Sequence, residues 1–125
     1  MRREDYVSFE VAKLLKEKGY CWPSDSFYTL EGLIKFRSIA DNFNRLTAYS
    51  RPCLYDAQKW LRTKYNIHVM MGNNASGYYW ALNKADNGTF IYDYNDSGPN
   101  DGGCWDTYEE ALNAGILETL KLICL

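Results

Sequence analysis

Ile67-His-Val-Met-Met-Gly-Asn-Asn-Ala-Ser-Gly-Tyr-Tyr-Trp-Ala-Leu-Asn-Lys-Ala-Asp-Asn-Gly-Thr-Phe-Ile-Tyr-Asp-Tyr94 decides how this chain folds. Three runs rich in aromatic and apolar residues, Ile67–Met71, Tyr78–Leu82 and Thr89–Tyr94, are separated by turn-forming clusters. Such runs favour strands, because large side chains pack across a pleated surface. Gly72 to Gly77 reads as a turn, and Asn87-Gly88 as a short hairpin signal whose residues accept positive φ. The expectation is a three-stranded antiparallel meander.

Helical patterns flank the meander. Ser50-Arg-Pro52 marks a helix start, with proline in the first turn, and Leu54, Ala57 and Leu61 recur on one face up to about Lys64. The last helix spans Tyr108 to about Ile123. Thr107 and Glu110 fit a reciprocal capping box, and Tyr108, Leu112, Ile116, Leu120 and Ile123 form one stripe. Gly115 beside that stripe allows close approach to the sheet. An earlier helix, Phe9 to Lys18, has Ser8 as its cap, Val11, Leu14 and Leu15 as its stripe and Gly19 as its stop. Tyr20 to Ser26 reads as a turn and Phe27–Leu30 as a short strand. Leu33–Phe36 fits helix or strand, and Asp41–Ser50 reads as loop. The fold class is therefore α+β: an α-β-β-β-α core at 51–125, with a helix and an irregular extension at 1–50, in a single domain.

Composition narrows the function. Of 125 residues, 46% are hydrophobic and 24% charged, ordinary globular usage. The net charge of −2 gives no electrostatic case for non-specific nucleic-acid binding. No apolar run reaches the length of a membrane span, and the N-terminus lacks a signal-peptide core, so the expected location is cytoplasmic. Cys21, Cys53, Cys104 and Cys124 form no CxxC pair and are expected as free thiols acting as small, buried or half-buried hydrophobes. His68 is the single imidazole, on the strand face opposite Ile67 and Val69. Walker, GxGxxG, HExxH and GxSxG motifs are absent, so neither an enzyme nor a cofactor is expected.

Eight of the twenty aromatic residues lie between Tyr78 and Tyr108. Strand alternation puts Tyr79 opposite Tyr78 and Trp80, and Tyr92 opposite Ile91. Tyr79 and Tyr92 are therefore the candidates for an aromatic binding surface, since tyrosine suits protein interfaces. After them, Asp93, Asn95, Ser97 and Asp101 place oxygens at positions 1, 3, 5 and 9, with Gly98 at 6. That spacing is similar to a calcium loop. It departs at position 12, where Cys104 replaces the bidentate carboxylate, at position 8, where Asn100 replaces an apolar residue, and in being preceded by a strand.

The order helix, three strands, helix resembles the double-stranded RNA-binding domain, with Glu110-Ala-Leu-Asn-Ala114 similar to the start of its final helix. The resemblance implies phosphate-binding lysines at that helix start. This chain has Asp106-Thr-Tyr-Glu-Glu110 there, whose carboxylates repel phosphate, so a nucleic-acid partner is not expected. Leu54–Val69 and Tyr108–Ile123, about a quarter of the chain, resemble small uncharacterised proteins encoded by phages and mobile elements of gut bacteria. The expected role is a non-enzymatic protein-interaction module of such origin, with a protein partner. The alternatives are a weak calcium-binding domain and a double-stranded RNA-binding-like domain.

Overall fold

A computed structural model describes residues 2–123. Among them are three α-helices and two three-stranded antiparallel sheets, an α+β architecture. In chain order these are α1 (Phe9–Glu17), β1 (Ser24–Tyr28), β2 (Ile34–Asp41), β3 (Tyr49–Ser50), α2 (Leu54–Tyr65), β4 (Ile67–Asn74), β5 (Gly77–Lys84), β6 (Phe90–Asp93) and α3 (Tyr108–Leu122). Short 3-10 turns lie at Arg3–Asp5, Phe43–Arg45 and Asp101–Gly103.

The second sheet, ordered β4-β5-β6, is the expected meander. β4 and β5 run past their expected ends, whereas β6 falls one residue short at each end; Asn74 pairs with Gly77, so only Ala75 and Ser76 turn the first hairpin. Gly72 belongs to the strand rather than to the turn. It sits opposite Tyr79, and the Tyr79 ring occupies the space a Cβ at Gly72 would need. The second hairpin also differs from expectation. Gly88 alone takes positive φ, and the Asn87 side chain accepts from the Thr89 amide, making a longer loop than an Asn-Gly turn gives.

α3 packs on β4 and β5, and α2 packs on β4 and on α3. Close approach at α3 requires Gly115, where a Cβ would fall 2.8 Å from Val69 Cγ1 and 2.9 Å from Trp80 Cγ. Thr107 caps α3 by accepting from the Glu110 amide at 3.1 Å. The other half of the capping box is missing: the Glu110 carboxylate accepts from the Thr107 hydroxyl at 2.9 Å instead. α2 begins one residue after Cys53, so Pro52 precedes the helix rather than sitting in its first turn.

The N-terminal region is not irregular. It forms the sheet β2-β1-β3. The short strand expected at Phe27–Leu30 overlaps β1, which begins earlier, inside the expected turn, and the strand option for Leu33–Phe36 overlaps β2, which runs on to Asp41. In β1 the inward residues are Ser24, Ser26 and Tyr28, alternation carried largely by serine rather than by apolar residues. β2 buries no face at all. Both regions share one core, in which Val11 and Leu15 of α1 join Trp60 and Leu61 of α2, Trp80 and Leu82 of β5 and Ile116 and Leu120 of α3. Ser8 caps α1 as expected, and the Ser8 amide donates to Asn113 Oδ1 on α3 at 3.1 Å.

Candidate binding site

Arg51 is the least expected buried residue in the chain. It is 2% exposed, although it carries a charge and precedes a helix. Its backbone amide donates to the Ser26 carbonyl at 3.0 Å, and the Ser26 hydroxyl donates to the Arg51 carbonyl at 3.2 Å. This clamp directs the side chain across β1, where Nη1 donates to Ser26 Oγ at 3.2 Å. The small serine leaves room for the guanidinium.

Three rings surround that group. Tyr6 lies 4.0 Å from the guanidinium carbon, with Tyr28 and Phe36 each at 5.8 Å. Tyr6 is brought there by a backbone bridge to Cys53, and the Val7 amide donates to the Pro52 carbonyl at 3.1 Å. The Tyr28 hydroxyl donates to the Val7 carbonyl at 2.7 Å. Thus the N-terminal segment, β1, β2 and the approach to α2 build the site together.

Its electrostatics are unbalanced. Arg51 makes no ion pair among the described residues, and its buried Nε has no hydrogen-bond acceptor. Burying an unpaired charge costs several kcal/mol, of which a desolvated cation–π contact offsets about 2. The Tyr6 hydroxyl donates to Asp25 Oδ2 at 3.5 Å. Burial first, and the Asp25 charge second, push the Tyr6 phenol above its ordinary value, against the pull of Arg51. A cleft of ≈ 270 Å³ lies here, walled by Arg3, Tyr6, Ile34, Phe36 and Arg51, with no carboxylate in its lining. Chemically it offers apolar walls and two cations.

The residues expected from sequence lie elsewhere. Tyr79 and Tyr92 sit on opposite faces of the second sheet. Tyr79 packs on Tyr94 at 5.2 Å, on the face away from Trp80. Tyr92 pairs with Leu82 and stacks at 6.0 Å on buried Trp80, remaining 37% exposed at the edge of the core side. Asp93 ends β6 opposite Ala81, whereas Asp101 opens a separate 3-10 turn. The Ser97 hydroxyl donates to the Tyr94 carbonyl, and the Gly98 amide to the Gly103 carbonyl at 2.8 Å. Asn95 takes the left-handed conformation. Among the described residues no group of three or more His, Cys, Asp or Glu is placed to hold a metal ion.

At the start of α3, Asp106 accepts from Asn100 Nδ2 at 2.7 Å, and Glu109 and Glu110 follow it in the first turn. His68 is held below its ordinary pKa by burial and by the Arg62 charge. Cys104 is buried and Cys53 half-buried, with burial raising the Cys53 thiol, while Cys21 is exposed, against expectation. Cys124 lies outside the described residues. Among the described residues no helix is long and apolar enough to cross a membrane. Comparison with known protein families, curated proteins and solved structures finds no match to this chain.

Sequence reading missed Arg51 because its partners, Tyr6, Ser26 and Phe36, are distant in sequence. Its one local signal is its place between Ser50 and Pro52, where it reads as part of a helix start.

Proposed function

We propose that the chain is a non-enzymatic interaction module in which β2 receives an extended, acidic segment of a protein partner. The single observation behind this is β2 itself. It is an edge strand of eight residues, six of them consecutively exposed, with Phe36 at 64% and Ile39 at 79% exposure. An unpaired apolar edge is a template for strand addition.

The pairing of β2 with β1 is interrupted between Phe36 and Asp41, so the strand is weakly engaged even on its inner side. Lys35 and Arg37 lie on β2, and Arg3 and Arg51 line the cleft beside Phe36. Those cations disfavour a second positively charged edge, including another copy of β2, and favour a segment bearing carboxylates. In this reading the α2-β4-β5-β6-α3 unit is the scaffold core, and the sheet β2-β1-β3 is the recognition layer.

The test uses three unstructured peptides of equal length, alternating apolar residues with acidic, neutral or basic ones. Binding is followed by hydrogen exchange of the amides at 36–40. The acidic peptide should protect these amides, and the double variant Lys35→Glu, Ile39→Glu, at two exposed positions of β2 away from Arg51, should lose binding while melting as the parent does. Absence of protection, or binding unchanged in the double variant, overturns the proposal.

A further inference from the structure

We propose that the cleft over Arg51 binds a carboxylate carried on an apolar or aromatic group. This inference does not rest on strand addition, since the cleft has its own chemistry. Three observations meet there. A buried guanidinium has an Nε with no acceptor. A second cation, Arg3, lines the same cleft. The remaining lining is Tyr6, Ile34 and Phe36, without any carboxylate.

The shape of the site selects the ligand. Aromatic rings lie over the guanidinium, and Nη1 is committed to Ser26, so what remains for a ligand is the edge of the guanidinium plane carrying Nε. A planar carboxylate matches an arginine edge with two parallel bonds. A tetrahedral phosphate fills a slot between rings less well. The Nε lies beneath the surface, so the ligand reaches it by displacing a ring. Phe36, the most exposed of the three, has the freedom to move. The apolar walls then cover the body of the ligand, in the manner of small-molecule sites that combine apolar lining with few polar anchors.

The experiment titrates the ¹⁵N-labelled protein with benzoate, with its neutral isostere benzamide and with inorganic phosphate, and reads the Arg51 Nε–Hε resonance. Benzoate should shift that resonance saturably, whereas benzamide and phosphate should not. Arg3→Gln, a change at the exposed rim, should weaken benzoate about two- to fivefold, the effect of one solvent-screened charge. Arg51→Lys, followed through the backbone amide resonances of Tyr6 and Phe36, should abolish saturable benzoate binding; if that variant fails to fold, the Arg3 variant and the benzamide control still decide. Equal response to benzamide, equal affinity for phosphate, no response to benzoate, or an unchanged affinity in Arg3→Gln would each overturn the assignment.

Discussion

The guanidinium carbon of Arg51 lies 4.0 Å from the centre of the Tyr6 ring, so the charged group buried before α2 is roofed by a residue from the N-terminal segment. The ring, and not the phenol oxygen, supplies the contact. Tyr6→Phe should therefore stay within about 0.5 kcal/mol of the parent, as surface polar changes do. Tyr6→Leu should lose about 1–2 kcal/mol through the missing cation–π contact. Urea denaturation of the two variants checks the difference, and equal losses would place the energy in the hydroxyl.

Gly115 sets the distance between α3 and the sheet. Alanine there would gain about 1 kcal/mol of helix propensity in an exposed helix. Against Val69 and Trp80 it should instead cost about 1–3 kcal/mol, because an added methyl overpacks a filled interior. Lower stability together with an altered Trp80 emission is the expected result.

At the start of α3 the two members of the expected box are unequal. Thr107→Ala removes the acceptor for the Glu110 amide and should cost about 1 kcal/mol. Glu110→Gln should cost less than half of that, since its carboxylate holds the Thr107 hydroxyl and no backbone amide. Thermal melts of the pair test the ranking.

His68 gives stability a pH dependence of known sign. Burial holds its folded-state pKa below the unfolded value of about 6.5. As pH falls the unfolded chain takes up the proton first, so stability is level above about pH 6.5 and declines from there toward the lower folded value. His68→Gln should flatten the decline between about pH 7 and pH 5, where carboxylates add little. An unchanged slope would assign it to other groups.

In the loop from Asp93 to Asp101 the Ser97 hydroxyl is committed to the Tyr94 carbonyl, and Asp101 opens a turn separate from the strand that Asp93 ends. Calcium at about millimolar concentration, the range of weak sites, should leave both Trp105 emission and melting temperature unchanged. A saturable rise in either would restore the loop as a cation site.

How much of this was legible depends on where burial and hydrophobicity coincide. α1 and α3 declare themselves through Ser8 and Thr107 caps and through apolar stripes that the core uses. The meander is readable because its aromatic and apolar runs are broken by turn-forming clusters that do become its hairpins, although Trp80, Ala81 and Leu82 are buried in a row rather than in alternation. β1 hides its alternation in Ser24 and Ser26, and β2 has no buried face whose periodicity could be read. The binding cleft was illegible for a related reason. Nothing near Arg51 in sequence supplies its rings, and Ser26 matters by being small rather than by being reactive.

One link bears on how the chain is made. Ser8 caps α1 and also exchanges hydrogen bonds with Asn113, whose Nδ2 donates to Ser8 Oγ at 3.2 Å while its Oδ1 accepts the Ser8 amide. These partners are separated by 105 positions. On a ribosome the first helix emerges long before its neighbour exists, so α1 cannot settle against α3 until synthesis has passed Asn113. Docking of α1 on α3 therefore waits for the intervening chain, and until Asn113 emerges the apolar face of α1 is without that neighbour.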